Sequence, residues 1–466
     1  MGALFVQSVK EIDFLLVNPW IYDFSAHDFW LRPYGLLKLA GLLRKEGYKI
    51  HLLDLLDPFH PELPKPLKRK AYGTGHFYKE AIPKPHFFRD IPRRYFRYGM
   101  PFKLFLKEIS GLKFKAVFLS TTMTYWYPGL FVLIDFFARN FSDTPIFISG
   151  IYAKLCRAHL EDFISRYSWA QIEVVSEPME DFVKKLKRQF LPKGDPHPFD
   201  YPAFDLYREI PYVVMLTSLG CPFNCPYCAS KKLYPHFIQK EPLKVVEEIE
   251  FWHKKYGVID FAFYDDALLV NFEKHLGVIL EEVLKRNLKV RFHTPNALHA
   301  RFITIEVAKL LKISGFVTIR LGLERVEDRL DEKVTLSEFE EAVSNLKKAG
   351  FTPRELGAYL LYGLPEEDFE KVERALNYLY ELRVSPYLSE FSPIPGTPLF
   401  DEAEKSSRYP LSEDPLFTNK SAFPALRNPD WKKIHQVKNL AKTIRKTLLE
   451  SSAQAFQEAS CLGGKG

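Results

Sequence analysis

Three cysteines fall within eight residues, Cys221-Pro-Phe-Asn-Cys225-Pro-Tyr-Cys228, in a chain of 466 residues that holds five cysteines in all. The other two are Cys156 and Cys461. Three thiols on one short loop make either a metal site or a disulfide knot. A chain this poor in cysteine does not support the knot, because disulfide frameworks are dense in cysteine. Structural zinc takes four ligands, and no second Cys/His pair follows at finger spacing. Thiolates are the usual ligands of iron–sulfur clusters, and three of them on a four-iron cluster leave one iron open to a substrate or cofactor.

The elements that must position this loop show in the alternation of apolar runs and helical patterns. Strand-like runs at Phe14–Val17, Lys49–Asp54, Ala116–Ser120, Pro145–Ile148 and Ile172–Val175 alternate with helical stretches near residues 34–47, 131–140 and 152–166. Continuous apolar strands between helices predict a doubly wound parallel sheet, with ligands beyond the carboxyl ends of its strands. Residues 187–211 hold five prolines and read as a linker. A second alternation follows, with strands near Val213–Thr217, Asp260–Tyr264, Val290–His293, Val317–Gly322, Glu355–Leu361 and Leu388–Ser392. Six strand–helix units predict an open barrel, and the cysteine loop falls at its C-terminal mouth, where barrel active sites are built. The fold class is therefore α/β. The domains are residues 1–186 with an insertion at 61–110, the linker 187–211, a barrel at 212–400, and a C-terminal helical extension and tail at 401–466. The last helix is expected over Trp431–Gln457.

Hydrophobic residues make up 47% and charged residues 26% of the chain, a globular balance. No apolar run is long enough for a membrane span. The opening Met1-Gly2-Ala3-Leu4-Phe5-Val6 lacks a basic n-region, so no signal peptide is read. Cysteine usage points to a reducing, cytoplasmic compartment. The net charge of +7 is uneven: residues 61–110 carry twelve Lys/Arg against four Asp/Glu, a local +8, and the remainder is near neutral. Charge therefore does not indicate a nucleic-acid partner. The basic segment also has ten aromatics, among them Phe87, Phe88, Tyr95, Phe96 and Tyr98 beside Arg93, Arg94 and Arg97. It is read as a long loop with its aromatics packed away; stacking on RNA or cradling an anionic ligand is the alternative.

The C-x3-C-x2-C spacing, with Tyr227 before the last cysteine, resembles the radical S-adenosylmethionine (SAM) superfamily. The resemblance implies a 4Fe-4S cluster held by Cys221, Cys225 and Cys228, SAM chelated at the open iron, and reductive cleavage to a 5'-deoxyadenosyl radical. Where the family usually has Gly-Gly-Glu, this chain has Tyr264-Asp265-Asp266, which looks like the variant of cobalamin-binding members; Asp265 or Asp266 as a simple helix cap is the plainer account. Glu324, in Ile319-Arg320-Leu321-Gly322-Leu323-Glu324, resembles the family's polar SAM contact. Ser392 and Ile394, in Ser392-Pro393-Ile394-Pro395-Gly396-Thr397, resemble the loop that abuts the adenine. With Tyr227, Tyr264, Asp265 and Asp266 they complete the candidate SAM site. His299 is read as a structural histidine rather than a proton donor. These matches run in order over residues 213–400.

The pieces Val17-Asn18-Pro19, Pro33-Tyr34-Gly35-Leu36, Leu39-Ala40-Gly41-Leu42-Leu43 and Ser149-Gly150 resemble the cobalamin-binding domain of B12-dependent radical SAM proteins, over residues 10–185. Cobalamin is implied, with Tyr125, Trp126, Ser149 and Gly150 as its candidate contacts; packing at a helix start is the competing account of Tyr125 and Trp126. The loop after the first strand holds His27 without the Asp-x-His-x-x-Gly pattern that ligates cobalt in many cobalamin proteins. The implied function is a radical SAM enzyme that methylates an unactivated carbon with cobalamin. The alternatives are a cobalamin-independent cyclisation or rearrangement, and a non-catalytic Fe–S/SAM-binding scaffold. Sulfur insertion needs a second three-cysteine cluster, and only Cys156 and Cys461 remain; Cys461 is read as an incidental thiol. The partners implied are a small-molecule substrate of unspecified class and an external electron donor such as flavodoxin or ferredoxin.

Overall fold

Phe14, Leu15, Leu16 and Val17 are all fully buried, as a strand covered on both faces requires. Strand β1 (Phe14–Asn18) pairs in parallel with β2 (Ile50–Asp54) on one side and β3 (Ala116–Thr121) on the other. Beyond β3 lie β4 (Ile146–Gly150) and β5 (Ile172–Val174). The order β2-β1-β3-β4-β5 reverses direction between β1 and β3, the switch point of a doubly wound sheet. Helix α1 (Tyr34–Lys45) lays Leu36, Leu39, Ala40 and Leu43 against Phe14, Leu16, Phe118 and Phe147.

The computed structural model describes residues 10–327, 330 and 334–462. The Met1–Val6 opening and the side chain of Cys461 lie outside the described residues. The chain forms two units, Met1–Ile210 with Glu413–Thr418, and Pro211–Ser412 with Asn419–Gly466. Both boundaries differ from the sequence expectation. Residues 187–211 are no free linker. Gly194 N–H donates to the Gly47 carbonyl (2.9 Å), Ala203 N–H donates to that of Leu37 (2.9 Å), and Arg44 grips Asp205 with both Nη atoms (2.8 and 2.9 Å). This strap passes so close to α1 that a side chain at Gly41 would run into the Tyr201 carbonyl. Residues 413–418 also belong to the first unit rather than to a C-terminal extension. Asp414 accepts the Tyr127 hydroxyl (2.8 and 3.0 Å), Thr418 meets Thr124 (3.4 Å), and Phe417 packs edge-on against Phe87.

The 61–110 insertion is not a long loop. Strands Lys79–Ile82 and Tyr95–Tyr98 form an antiparallel sheet with Ile21–Asp23, and a helix follows at Phe102–Ser110. Phe88, Tyr95, Tyr98 and Phe105 are buried, which is the packing account of its aromatics. Two of its arginines are engaged internally, Arg97 with Glu80 and Arg69 with Asp28.

In the second unit six parallel strands follow one another in chain order: β6 (Val213–Met215), β7 (Asp260–Phe263), β8 (Arg291–His293), β9 (Phe316–Glu324), β10 (Leu356–Tyr362) and β11 (Ser385–Glu390). Right-handed crossovers between successive strands put the connecting helices on one face of such a sheet. One face is apolar, with Phe261, Phe292, Phe316, Ile319, Leu321, Leu356 and Ala358 nearly or fully buried. The register puts Asp260, His293, Thr318, Arg320, Tyr359 and Tyr387 together on the other, inner face. The last helix, α2 (Trp431–Leu462), packs on β11 and on the helix Phe369–Glu381. Among the described residues no helix is long and apolar enough to cross a membrane.

Candidate active site

Strand β6 ends at Met215, and the chain turns through Thr217 into a short ribbon, Ser218–Leu219 paired with Ile238–Gln239. The loop that this ribbon closes carries Cys221, Cys225 and Cys228. Gly220 makes the turn at φ +78°, and a side chain there would press on the carbonyls of Tyr234 and His236. Leu399 N–H donates to the Pro226 carbonyl (3.0 Å), and the Phe223 ring lies 4.3 Å from that of His299. His299 is buried, in keeping with a structural histidine. Cys221 and Cys225 are partly exposed and Cys228 is exposed, none of them in a disulfide. Among the described residues no three Cys, His, Asp or Glu side chains converge as they must on a single metal ion. Three thiols on one loop are a donor set that suits a cluster, in which each thiolate meets a different iron.

Asp265, at the end of β7, is fully occupied with this loop. Its Oδ1 accepts Thr217 N–H (3.0 Å) and Oγ1–H (2.7 Å), and Ser218 N–H (2.5 Å) and Oγ–H (2.6 Å). Burial raises its carboxyl above the ordinary range, against the pull of these donors. The structure thus gives Asp265 the task of fixing the cysteine loop rather than reaching a ligand. Asp266 is exposed and accepts the Ser230 hydroxyl (2.7 Å); Ser230 in turn lies 3.2 Å from the Cys228 sulfur. Thr217, Ser218 and Ser230 did not stand out in the sequence. Only the nearness of Ser230 to Cys228 in the chain hinted at its place.

The other candidates line the same rim. Tyr264 is half-buried and its carbonyl accepts Asn296 Nδ2–H (2.7 Å). Glu324, the last residue of β9, sits beside a bulge at φ +58°, a strained conformation of the kind that clusters at functional sites. The next residue, Arg325, pairs with Glu367 (2.6 Å), whose side chain is fully buried and accepts the N–H groups of Gly363 (2.7 Å) and Leu364 (3.2 Å), pinning the neighbouring rim loop. Ser392 is half-buried, and the Ile394 carbonyl accepts both Thr397 N–H (3.1 Å) and Oγ1–H (2.8 Å). Tyr227 is half-buried within the cysteine loop.

The first unit has a crevice of its own. A narrow crevice opens at the switch point between β1 and β3, bounded by Asn18, Arg32, Leu56, Thr121, Thr122 and Trp126 among others. Beside it, Asp54 accepts Asn18 Nδ2–H (2.6 Å) and the Tyr207 hydroxyl (2.6 Å), with Arg32 Nη1 at 4.0 Å. Trp126 lines the crevice and donates Nε1–H to Asp23 (2.8 Å). Tyr125 is 0% exposed, which favours helix-start packing over ligand contact for this ring; the neighbouring Thr124 hydroxyl meets that of Thr418 (3.4 Å). Ser149 and Gly150 end β4 half-buried.

The family description "Radical SAM superfamily" matches residues 215–379, the span from the end of β6 through the helix after β10. Residues 215–379 thus carry a radical SAM domain. The family's cofactors are a 4Fe-4S cluster and SAM. An uncharacterized methyltransferase of Pyrococcus horikoshii is 27% identical to this chain over 241 residues, covering 50% of each. An anaerobic magnesium-protoporphyrin IX monomethyl ester cyclase of Cereibacter sphaeroides is 30% identical over 196 residues, covering 39% of this chain and 30% of that one. The chain thus spans half or less of the length of these curated relatives. Among solved structures, the radical SAM methyltransferase TsrM from Kitasatospora setae, with cobalamin and a [4Fe-4S] cluster bound, aligns with a TM-score of 0.60 at 17% identity. It covers 85% of this chain and 75% of its own, so the two-unit fold is shared.

Proposed function

We propose that this protein is a radical SAM enzyme whose cluster is held by Cys221, Cys225 and Cys228, and whose outcome is methylation of an unactivated carbon with a corrinoid. The observation that supports it most is the cysteine loop itself, three thiols at the mouth of a six-stranded barrel and tied there by a buried carboxylate. When bound, the cluster and SAM supply a 5'-deoxyadenosyl radical, and a corrinoid supplies a methyl group.

The chain's own residues do the positioning. Asp265 holds Thr217 and Ser218 and thereby fixes where the loop leaves the barrel. Ser230, between the Cys228 sulfur and Asp266, orients the exposed end of the loop. On its other side Phe223 packs against the buried His299 ring. Tyr227, Tyr264, Asp266, Glu324, Ser392 and Ile394 form the rim against which SAM would lie. In the first unit, Thr121, Thr122, Trp126 and Arg32 bound a narrow crevice at the switch point of the sheet. A corrin macrocycle is larger, and would lie at the mouth of that crevice near Ser149 and Gly150.

A cobalamin-independent cyclisation or rearrangement is the second reading. It draws on the burial of Tyr125 and on the loop after β1, which is paired into strands Ile21–Asp23 and His27–Asp28 in place of a cobalt-binding pattern. Reconstituted, dithionite-reduced protein should release 5'-deoxyadenosine from SAM, and its failure to release any would sink the enzyme reading. Cys225→Ala should lose both the iron–sulfur absorbance and SAM cleavage. Protein loaded anaerobically with hydroxocobalamin and desalted should keep a corrinoid spectrum; loss of the spectrum selects the second reading.

A further inference from the structure

The inner face of the barrel carries more cation than anion. At its foot, Asp260 is taken by Arg291 (2.8 and 2.6 Å) and by His293 Nε2 (2.9 Å). Above these, on β9, Arg320 points to the same face and is 5% exposed. Its Nη1 donates to the carbonyls of Ile319 (2.8 Å) and Glu355 (3.0 Å), and its Nη2 donates to the Tyr387 hydroxyl (3.0 Å). Its Nε is buried with no hydrogen-bond partner among the described residues. Arg445, on α2, reaches the same spot from beyond the edge strand β11, with Nη1 donating to the Pro386 carbonyl (2.7 Å). Both guanidiniums lie on the Tyr387 ring, at 4.3 Å for Arg320 and 5.1 Å for Arg445. That ring lies across Gly357, where a side chain would strike it. Among the described residues neither arginine has a carboxylate partner. Burial and the Arg320 charge hold the Arg445 guanidinium below its ordinary range.

Two guanidiniums drawn together without a counter-ion are unfavourable, and a carboxylate or phosphate between them would satisfy both through charge-assisted hydrogen bonds. Nothing in the cysteine loop or its rim explains this pair. We propose that the inner barrel face holds a subsite for an anionic group of the substrate, a carboxylate or a phosphate, between Arg320 and Arg445 over Tyr387. This rests on the reading of the barrel as the reaction chamber. Arg320 lies four residues before Glu324 on β9, so at strand rise the two Cα atoms are about 13 Å apart.

The test is calorimetric titration of the full-length chain in low-chloride buffer, with inorganic phosphate and, separately, with benzoate. One of the two should saturate a single site, and the tighter of the two names the group. Arg320→Gln and Arg445→Gln should each weaken that binding by about tenfold or more. If Arg320→Gln fails to fold, Arg445→Gln, on a surface helix, still decides. The proposal is overturned if neither anion saturates, or if the folded Arg445→Gln variant binds as tightly as the parent. The titration needs neither cluster nor SAM, so its failure and that of the SAM-cleavage assay are separate results.

Discussion

Asp265 holds its place through four short hydrogen bonds to two adjacent residues, and this makes a sharp mutational test. In Asp265→Asn the amide oxygen can keep the Oδ1 place, but an NH2 then takes the Oδ2 place and faces the Thr217 N–H (3.1 Å), a donor against a donor. A buried polar group left unsatisfied costs about 1–3 kcal/mol. The barrel should melt several degrees lower, and iron content per chain after reconstitution should fall with it, read by thermal denaturation and iron assay. Unchanged iron content would remove the positioning role. The cysteine triplet was legible in the sequence because its ligand spacing is local to one loop. The work of Asp265 was not, since its partners lie 47 and 48 residues away and meet it only because β7 pairs with β6. Tyr125 and Trp126 show the same limit. They are neighbours with the same look in the sequence, yet one lines a crevice and the other is wholly buried.

Among the elements, β2 carries a built-in response to acid. Burial, with a smaller push from Lys10, lowers His51 to about 4. Above its ordinary value His51 is neutral in both folded and unfolded chain. As pH falls below that value the unfolded chain takes a proton that the folded one refuses until about 4. Stability is therefore lost across this window, by up to about 3 kcal/mol. Urea midpoints of the parent at about pH 7 and about pH 5 should differ, and His51→Gln should shrink the difference; an equal shift in both proteins would refute the assignment. The strands themselves were legible, because long apolar runs such as Phe14–Val17 have no other use in a globular chain. The insertion was not. Lys79–Ile82 and Tyr95–Tyr98 are too short and too charged to announce a sheet, and Tyr95–Tyr98 joins Ile21–Asp23 across more than 70 residues.

At the scale of the molecule, the six-residue segment 413–418 completes a unit whose other residues end at Ile210. Asp414→Ala in the full chain should destabilise the first unit by about 1–3 kcal/mol, because it leaves the Tyr127 hydroxyl buried without its acceptor. Tyr127→Phe in the same chain should return most of that loss, as a double-mutant cycle in denaturant would show. Additive effects would mean that the pair is not coupled. No pattern in the sequence marked these residues, since a segment that short has no period to read. Their return has a consequence for synthesis. On the ribosome the first unit emerges early, yet its closing piece is translated only after the roughly 200 residues between Ile210 and Glu413. At about 5–20 residues per second, that leaves the nascent chain waiting on the order of 10–40 s with Tyr127 uncapped, an interval in which chaperones have a defined open surface to guard.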